Sequence, residues 1–367
     1  MILINCFIHS LFGQNIKYVD PFIGTQGTGH TFPGPSLPFG MVQPGPDCNN
    51  TNWDYTSGYQ YADSTILGFS QTHLSGTGIG ELGDILLLPY ANNQQKNQML
   101  KDTEKASAGY YTVTKADGVK VELTCTHHVA FHQYTFPSDK AYLLIDFQHG
   151  IRFLTDSLVL DSAIKIENDS TISGYCHTKN WVERTYFFTM KFNTPFSEIE
   201  KLPRKAKENA PKYIAQFKLK DEQQLKVKIA FSATSTEGAQ KNLTIELPHW
   251  NFESVYKQAA DRWSYFLDRI NIDTDEERKK IFYTCIYHLL LQPSNIADAG
   301  ETYYSTLSNW DVYRAAFPLL QLIAPEVIAP IINSMIEHHQ KAGFLPIWTV
   351  WGHCLLYTSP SPRDISG

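Results

Sequence analysis

Residues 55–84, YTSGYQYADSTILGFSQTHLSGTGIGELGD, put aromatic rings, hydroxyls, one histidine and a glycine cluster into a single run. That mixture is unusual for a core element and ordinary for a surface that faces a sugar. Aromatic faces stack on the C–H-rich side of a pyranose, and short polar side chains fix the directions of its hydroxyls. Tyr55, Ser57 and Tyr59 head the run, with Trp53 just before it. His73, in QTHLSG, reads either as a pocket residue or as a satisfied core histidine. The sharpest local motif is Trp310-Asp311-Val312-Tyr313-Arg314, where a loop enters a helix. Asp311 there can cap the helix and face a ligand, and Arg314, one turn along, can pair with Asp311 or with a buried acid.

Two other constellations carry less. Residues 78–83, GIGELG, match the letters of a dinucleotide fingerprint. That fingerprint must close a strand and open a helix, whereas a strand-like run follows at 84–89. These glycines read instead as backbone passing close to a sugar or a neighbouring domain. His127, His128 and His132 are near one another, and His128 and His132 share a strand face. Only Glu122 is near enough to add a carboxylate, so the group reads as a packed or surface cluster and no metal ligand is assigned.

The elements that must position these residues change character along the chain. From residue 18 to 247, short alternating or apolar runs recur at 85–89, 109–115, 119–126, 129–136, 141–147, 157–165, 185–192, 213–217 and 224–232. Turn residues separate them, which is the pattern of a β-sandwich. Residues 201–212 form a charged insert that reads as a solvated loop. After Pro248, apolar residues take helical spacing over 252–267, 276–291, 312–322 and 325–341, with acidic residues before the second of these and Gly343 closing the last. The 248–353 region therefore reads as helices that follow a sandwich.

A charged fraction of 19% and a net charge of -6 describe ordinary globular material and argue against a nucleic-acid partner. The apolar run 2–12 is too short to span a bilayer and resembles the apolar part of a secretory signal, so residues 1–17 read as a leader and the protein as secreted or periplasmic. Four cysteines, Cys48, Cys125, Cys176 and Cys285, remain once that segment and the tail are set aside. None has the spacing of a zinc site. Residues 354–367, CLLYTSPSPRDISG, break from what precedes them and back-translate into a transposase adapter used in sequencing libraries. They read as an artefact, the other reading being a natural Pro/Ser-rich tail.

The run 18–46 (YVDPFIGTQGTGHTFPGPSLPFGMVQPGP), the run 55–84, residues 303–318 (YYSTLSNWDVYRAAFP) and residues 343–352 (GFLPIWTVWG) together resemble glycoside hydrolase family 92, the calcium-dependent exo-α-mannosidases. The resemblance implies an N-terminal β-sandwich of the supersandwich type followed by the first helices of an (α/α)6 toroid, truncated here. It implies a mannose-containing oligosaccharide as substrate, most often α-1,2-linked, cleaved with inversion and with Ca²⁺. By the same resemblance Trp53 stacks on the sugar beyond the scissile bond, and Asp311 contacts hydroxyls of the mannose whose bond is cleaved. Trp348 and Trp351 line the start of the next pocket loop. The family's acid, base and main calcium ligands come after the position of Gly352, so no catalytic residue is assigned. Glu81, Asp84 and Glu301 match none of them. On this reading the chain is an inactive front part of an α-mannosidase, with exposed apolar positions expected at Ile328, Ile331, Ile332 and Ile336. The alternatives are a non-catalytic carbohydrate-binding sandwich, and a structural sandwich whose Trp53, His73 and Asp311 point into the core.

Overall fold

A computed structural model describes residues 14–92, 95–152, 158–220 and 223–356. Most of the leader-like and adapter-like segments falls outside these residues. Residues 15–18 nevertheless belong to the fold. Asn15 is buried, its backbone N–H donates to Asp268 and its amide donates to Leu267 O. The leader reading over 1–17 therefore overlaps the fold at its end.

Fourteen strands build the first part, β1 (Gly45–Asp47), β2 (Gly68–Ser70), β3 (Leu86–Ala91), β4 (Met99–Ser107), β5 (Tyr110–Lys115), β6 (Lys120–Cys125), β7 (Val129–Thr135), β8 (Lys140–Asp146), β9 (Val159–Asn168), β10 (Thr171–Lys179), β11 (Glu183–Phe192), β12 (Phe196–Lys201), β13 (Lys212–Lys218) and β14 (Gln224–Ser232). They form a six-stranded sheet, β1-β2-β3-β8-β13-β12, and an eight-stranded sheet, β4-β5-β6-β7-β14-β11-β10-β9. Alternation does what it should. In β8, Ala141, Leu143 and Ile145 turn inward and meet Tyr186, Phe188 and Leu225 of the other sheet in one core. Charged β4 and β9 lie at the two edges of the larger sheet, where lysines and acids discourage further pairing.

The outer face of the larger sheet is not left to water. Helices α1 (Thr236–Glu246) and α2 (Phe252–Leu267) cover it, and Phe131, Ala230, Leu243 and Phe252 form a second core. This is why β14 is buried along nearly its whole length. Helix α1 lies inside the stretch read as β-rich; its Ser235 cap accepts from Gly238 N–H.

Helices α3 (Glu276–Leu290), α4 (Asn309–Val312), α5 (Ala316–Ile323) and α6 (Pro325–Ala342) complete the second part. The single helix expected over 312–322 is broken. Pro318 fits the first turn of α5, but its ring would collide with the carbonyl four residues earlier in a longer helix. Ile331 is buried with α2 and α3, which corrects its expected exposure, whereas Ile332 and Ile336 are exposed. Of the expected histidine cluster, His127 and His128 pack ring to ring, with centroids 4.7 Å apart, and each imidazole has its own polar partners. His127 faces Asn295 O, His128 lies between Glu246 and Ala297 O, and His132 lies between Tyr134 and Gln71.

One buried carboxylate ties the segments below the glycine cluster. Asp47, fully buried, has Oδ1 2.8 Å from His73 Nε2 and Oδ2 2.7 Å from His149 Nε2. Burial works against its charge, but the two imidazoles outweigh burial and hold the carboxyl well below the usual range. Gly58, at φ +79°, stands directly over it; a Cβ there would be 1.9 Å from Asp47 Oδ1. Gly58→Ala is expected to cost about 3 kcal/mol or more by displacing a buried ionic contact. Gly27→Ala, also at positive φ but facing open space, isolates the backbone cost of about 1 kcal/mol. Equal shifts in the two urea midpoints would show that the Asp47 contact carries nothing.

Burial also holds His132 down to about 3 and His127 and His288 down to about 4. Histidines of the unfolded chain titrate near pH ~6.5, so the unfolded chain binds more protons below that pH. Stability from these groups is complete above pH ~6.5 and is lost as pH falls from there toward about 4 for His127 and His288 and about 3 for His132. The urea midpoint is expected to drop between pH 7 and 5, at up to about 1.4 kcal/mol per pH unit for each such proton. A flat profile over that window would overturn the assignment of buried neutral imidazoles.

Candidate functional site

The two parts of the chain meet at a cleft of about 440 Å³. One wall is the glycine loop 75–79. Another is the turn between β10 and β11, carrying Trp181. The third is Trp310, Asp311 and Trp348 of the helical part, with Gln292, Thr306 and Ser308 between them.

Each wall has a local reason. The glycine loop is pinned from below, where Gly76 N–H donates to His30 O, Thr56 Oγ1 to Thr77 O, and Trp53 Nε1 to Gly78 O. With so few side chains it offers backbone to the cleft. On the helical side, Leu307–Ser308 pairs antiparallel with Trp348–Val350, in the register Ser308↔Trp348. Asn309 locks the same junction by donating to Ile347 O and Pro346 O. Trp310-Asp311 and Trp348, far apart in sequence, are thereby held side by side.

The sequence-assigned residues divide into two groups. Trp310, Asp311 and Trp348 line the cleft. Trp53 is one step behind the glycine loop, half-exposed, its ring edge-on to His30 at 4.5 Å. Tyr55 is turned to Asp63, which accepts from its hydroxyl at 2.7 Å; burial and that carboxylate push the phenol up to about 12. Ser57, Tyr59 and His73 are buried and do not line the cleft. Ser57 donates to Thr31 O, and Tyr59 reaches Glu104 and Lys101 in the core. His73 lies between Gln43 O and Asp47. They support the loops from beneath.

Asp311 and Arg314 also differ from expectation. Ser308, not Asp311, is the residue before α4, and its hydroxyl donates to the Asp311 carboxylate. Arg314 is exposed and turned away, its Nε donating to Tyr313 Oη at 2.7 Å. The Asp311 carboxylate lines the cleft, and among the described residues it has no cationic partner there.

Two participants were not legible. Trp181, 45% exposed at a hairpin turn, belongs to no motif. Beneath it is a buried cation, Arg184, bonded to Asp84 at 2.8 Å and 3.6 Å from Glu81. Burial opposes the Arg184 charge, but Asp84 and Glu81 outweigh it and keep the guanidinium firmly protonated; burial pushes Glu81 up even so. The ring of Trp351 is 5.0 Å from the guanidinium and its indole donates to Thr185 O, so Trp351 is a buried support and not a cleft residue.

Among the described residues, no group of three or more His, Cys, Asp or Glu is placed to hold a metal ion. Among the described residues the cleft lining contains one carboxylate, Asp311. Ca²⁺ takes six to eight oxygen ligands, so these residues do not make a calcium cage. Cys48, Cys125, Cys176 and Cys285 are free thiols.

Residues 18–232 match the glycosyl hydrolase family 92 N-terminal domain, and residues 238–359 match the glycosyl hydrolase family 92 catalytic domain. A curated protein of Arthroderma benhamiae, described as an uncharacterized secreted glycosidase, is 24% identical over 82% of this chain and 44% of its own length. A solved family GH92 α-mannosidase from Bacteroides thetaiotaomicron is 33% identical with a TM-score of 0.85, covering 93% of this chain and 52% of that one. The same enzyme in complex with mannoimidazole also gives 33% and 0.85, over 93% and 50%. The chain thus spans about half the length of these relatives. Its β-rich first part followed by helices is the arrangement those structures have. With both domains matched in order, the chain belongs to glycosyl hydrolase family 92.

Proposed function

We propose that this chain supplies the substrate-binding walls of a secreted exo-α-mannosidase, the cleft taking a terminal mannose of an α-1,2-linked mannoside, in an N-glycan or a mannan. The observation that carries this reading is convergence. Segments around residues 78, 181, 310 and 348 meet at one cleft that presents aromatic faces, hydroxyls, glycine backbone and one carboxylate. Trp310 and Trp348 offer faces to the C–H side of a pyranose. Asp311, acceptor-only when ionised, can receive two sugar hydroxyls, and its bond from Ser308 fixes its direction. The mannoimidazole complex of the 33%-identical relative fits a site for mannose-like ligands.

Hydrolysis is assigned to the whole protein. An inverting glycosidase needs an acid and a base carboxyl about 6.5–9.5 Å apart. Among the described lining residues Asp311 is the one carboxylate, so on this reading the described cleft binds sugar without cleaving it. The acid, the base and the main calcium ligands are proposed to come from family sequence corresponding to positions after Gly352, within an (α/α)6 toroid. Toroid helices would also cover the exposed Leu322, Ile332 and Ile336. Export fits the secreted relative. Among the described residues no helix is long and apolar enough to cross a membrane. The single carboxylate equally favours a second reading, a protein that only binds carbohydrate.

Calorimetric titration with α-1,2-mannobiose is the test. Asp311→Asn is expected to weaken binding about 10- to 100-fold, because a hydrogen bond to a charged group contributes roughly 1.5–3 kcal/mol, with no change in Tm. Equal affinity in wild type and variant, or no binding by the wild-type chain, would overturn the site. In a mannobiose cleavage assay with added Ca²⁺ this chain is expected to show no turnover. Measurable turnover would overturn its binding-only role.

A further inference from the structure

Trp181 is exposed yet held in place. An exposed indole on a hairpin turn would ordinarily wander with the turn, but every residue of this turn is tied down. The Asn180 amide donates to Gly80 O and to Ile151 O. The backbone N–H groups of Trp181 and Val182 both donate to Glu81 Oε2, at 2.9 and 3.4 Å. The turn is therefore stitched to residues 80–81, the continuation of the glycine loop that forms another wall.

The stitching is rooted in a buried charge. Arg184 lies where three cleft-bearing segments meet. Asp84 and Glu81 hold it from the glycine-loop side, its own strand carries the hairpin, and the Trp351 ring covers it from the segment bearing Trp348. As a stability device this arrangement is poor. Glu81 Oε1 and Arg184 Nε, both fully buried, come only to 3.6 Å and form no hydrogen bond. Buried pairs with incomplete hydrogen bonding are often matched or bettered by apolar residues. What the arrangement does provide is a fixed relation between the three walls.

We propose that Trp181 is a sugar-stacking platform of the cleft and that Glu81 and Arg184 are positioning residues that hold its ring at the cleft. This rests on reading the cleft as a mannoside site. The ligand class follows from the lining. Among the described residues it contains no Lys or Arg and one carboxylate, a lining that suits a neutral polyol better than a nucleotide phosphate. A flat ring held at fixed height beside hydroxyl and carboxylate acceptors suits the apolar face of a pyranose.

The test is calorimetric titration of this full chain with α-1,2-mannobiose, at a temperature where all variants are folded. Trp181→Ala is expected to weaken binding about five- to tenfold with an unchanged Tm, and Trp181→Phe to retain most of the affinity. Glu81→Gln keeps an acceptor for the two N–H groups and is expected to bind like wild type. Glu81→Ala is expected to weaken binding as Trp181→Ala does, and adding it to Trp181→Ala to cause no further loss. A merely structural Glu81 would lower Tm and leave the affinity unchanged, which would overturn the positioning role. Should Glu81→Ala fail to fold, indole oxidation mapped by mass spectrometry decides instead: mannobiose should protect Trp181 in wild type and in Glu81→Gln. Loss of binding in Asp311→Asn with none in Trp181→Ala, or no protection of Trp181, would overturn this inference and leave the sugar site standing. No mannobiose binding by wild type would overturn both.

Discussion

A short segment near residues 36–43 is bonded to both halves of the molecule at once, and the cleft depends on it. Trp263 of α2 donates its indole N–H to Ser36 O at 2.6 Å, deep in the helical core. Phe39 donates to Leu290 O at the end of α3 and accepts from Asn295 N–H. Two residues on, Met41 N–H donates to His127 O, and Gln43 to Gln71 O, both in the sandwich. Phe39 adopts φ +61°, a conformation that costs a bulky residue roughly 1–2 kcal/mol. It keeps that conformation because both of its backbone groups are bonded and its ring is buried against Phe266 and Tyr304. Sliding one half against the other would break these bonds together. The two halves that carry the cleft walls are therefore held together at this joint.

Buried charge is placed around that joint with a consistent logic. Asp47 fixes the segment before the glycine cluster by gripping His73 and His149. Arg184 fixes the segment after it by gripping Asp84 and Glu81. Thr72 bridges toward the second group through its hydroxyl to Asp84 at 2.7 Å. Between the two groups runs the glycine loop, which has little side-chain packing of its own. Charge-assisted hydrogen bonds are directional and apolar packing is not, so such bonds are the stronger means of orienting a loop that must present its backbone.

The scaffold was more legible in the sequence than the site. Alternation in β8 and β13 follows directly from which residues are apolar, because a half-buried strand has period two. Charged β4 gave no such signal, since an edge strand needs no inward-facing apolar row. The break between α4 and α5 was written in Pro318, though the apolar periodicity on either side masked it. At the site, Trp310, Asp311 and Trp348 were visible through motif resemblance. Tyr59 and Tyr55 look alike in sequence, yet one is buried on Glu104 and the other faces Asp63, a difference made by partners 45 and 8 residues away. Arg184 and Trp181 left no trace because a single cation in a strand and a single indole in a turn acquire meaning only from long-range neighbours.

The composition of the cleft separates recognition from chemistry. Its aromatic faces and glycine backbone can select a pyranose by shape and by hydroxyl direction. Its one carboxylate, already oriented by Ser308, can accept hydroxyl protons. It cannot both protonate a leaving oxygen and activate a water on the opposite face of the ring, because those roles need two groups on two sides. A wall built this way gains by being rigid, since each rotor frozen in advance is one that binding does not have to freeze. That is the sense in which the buried ionic contacts serve the cleft. They pre-order the surface that is proposed to bind sugar.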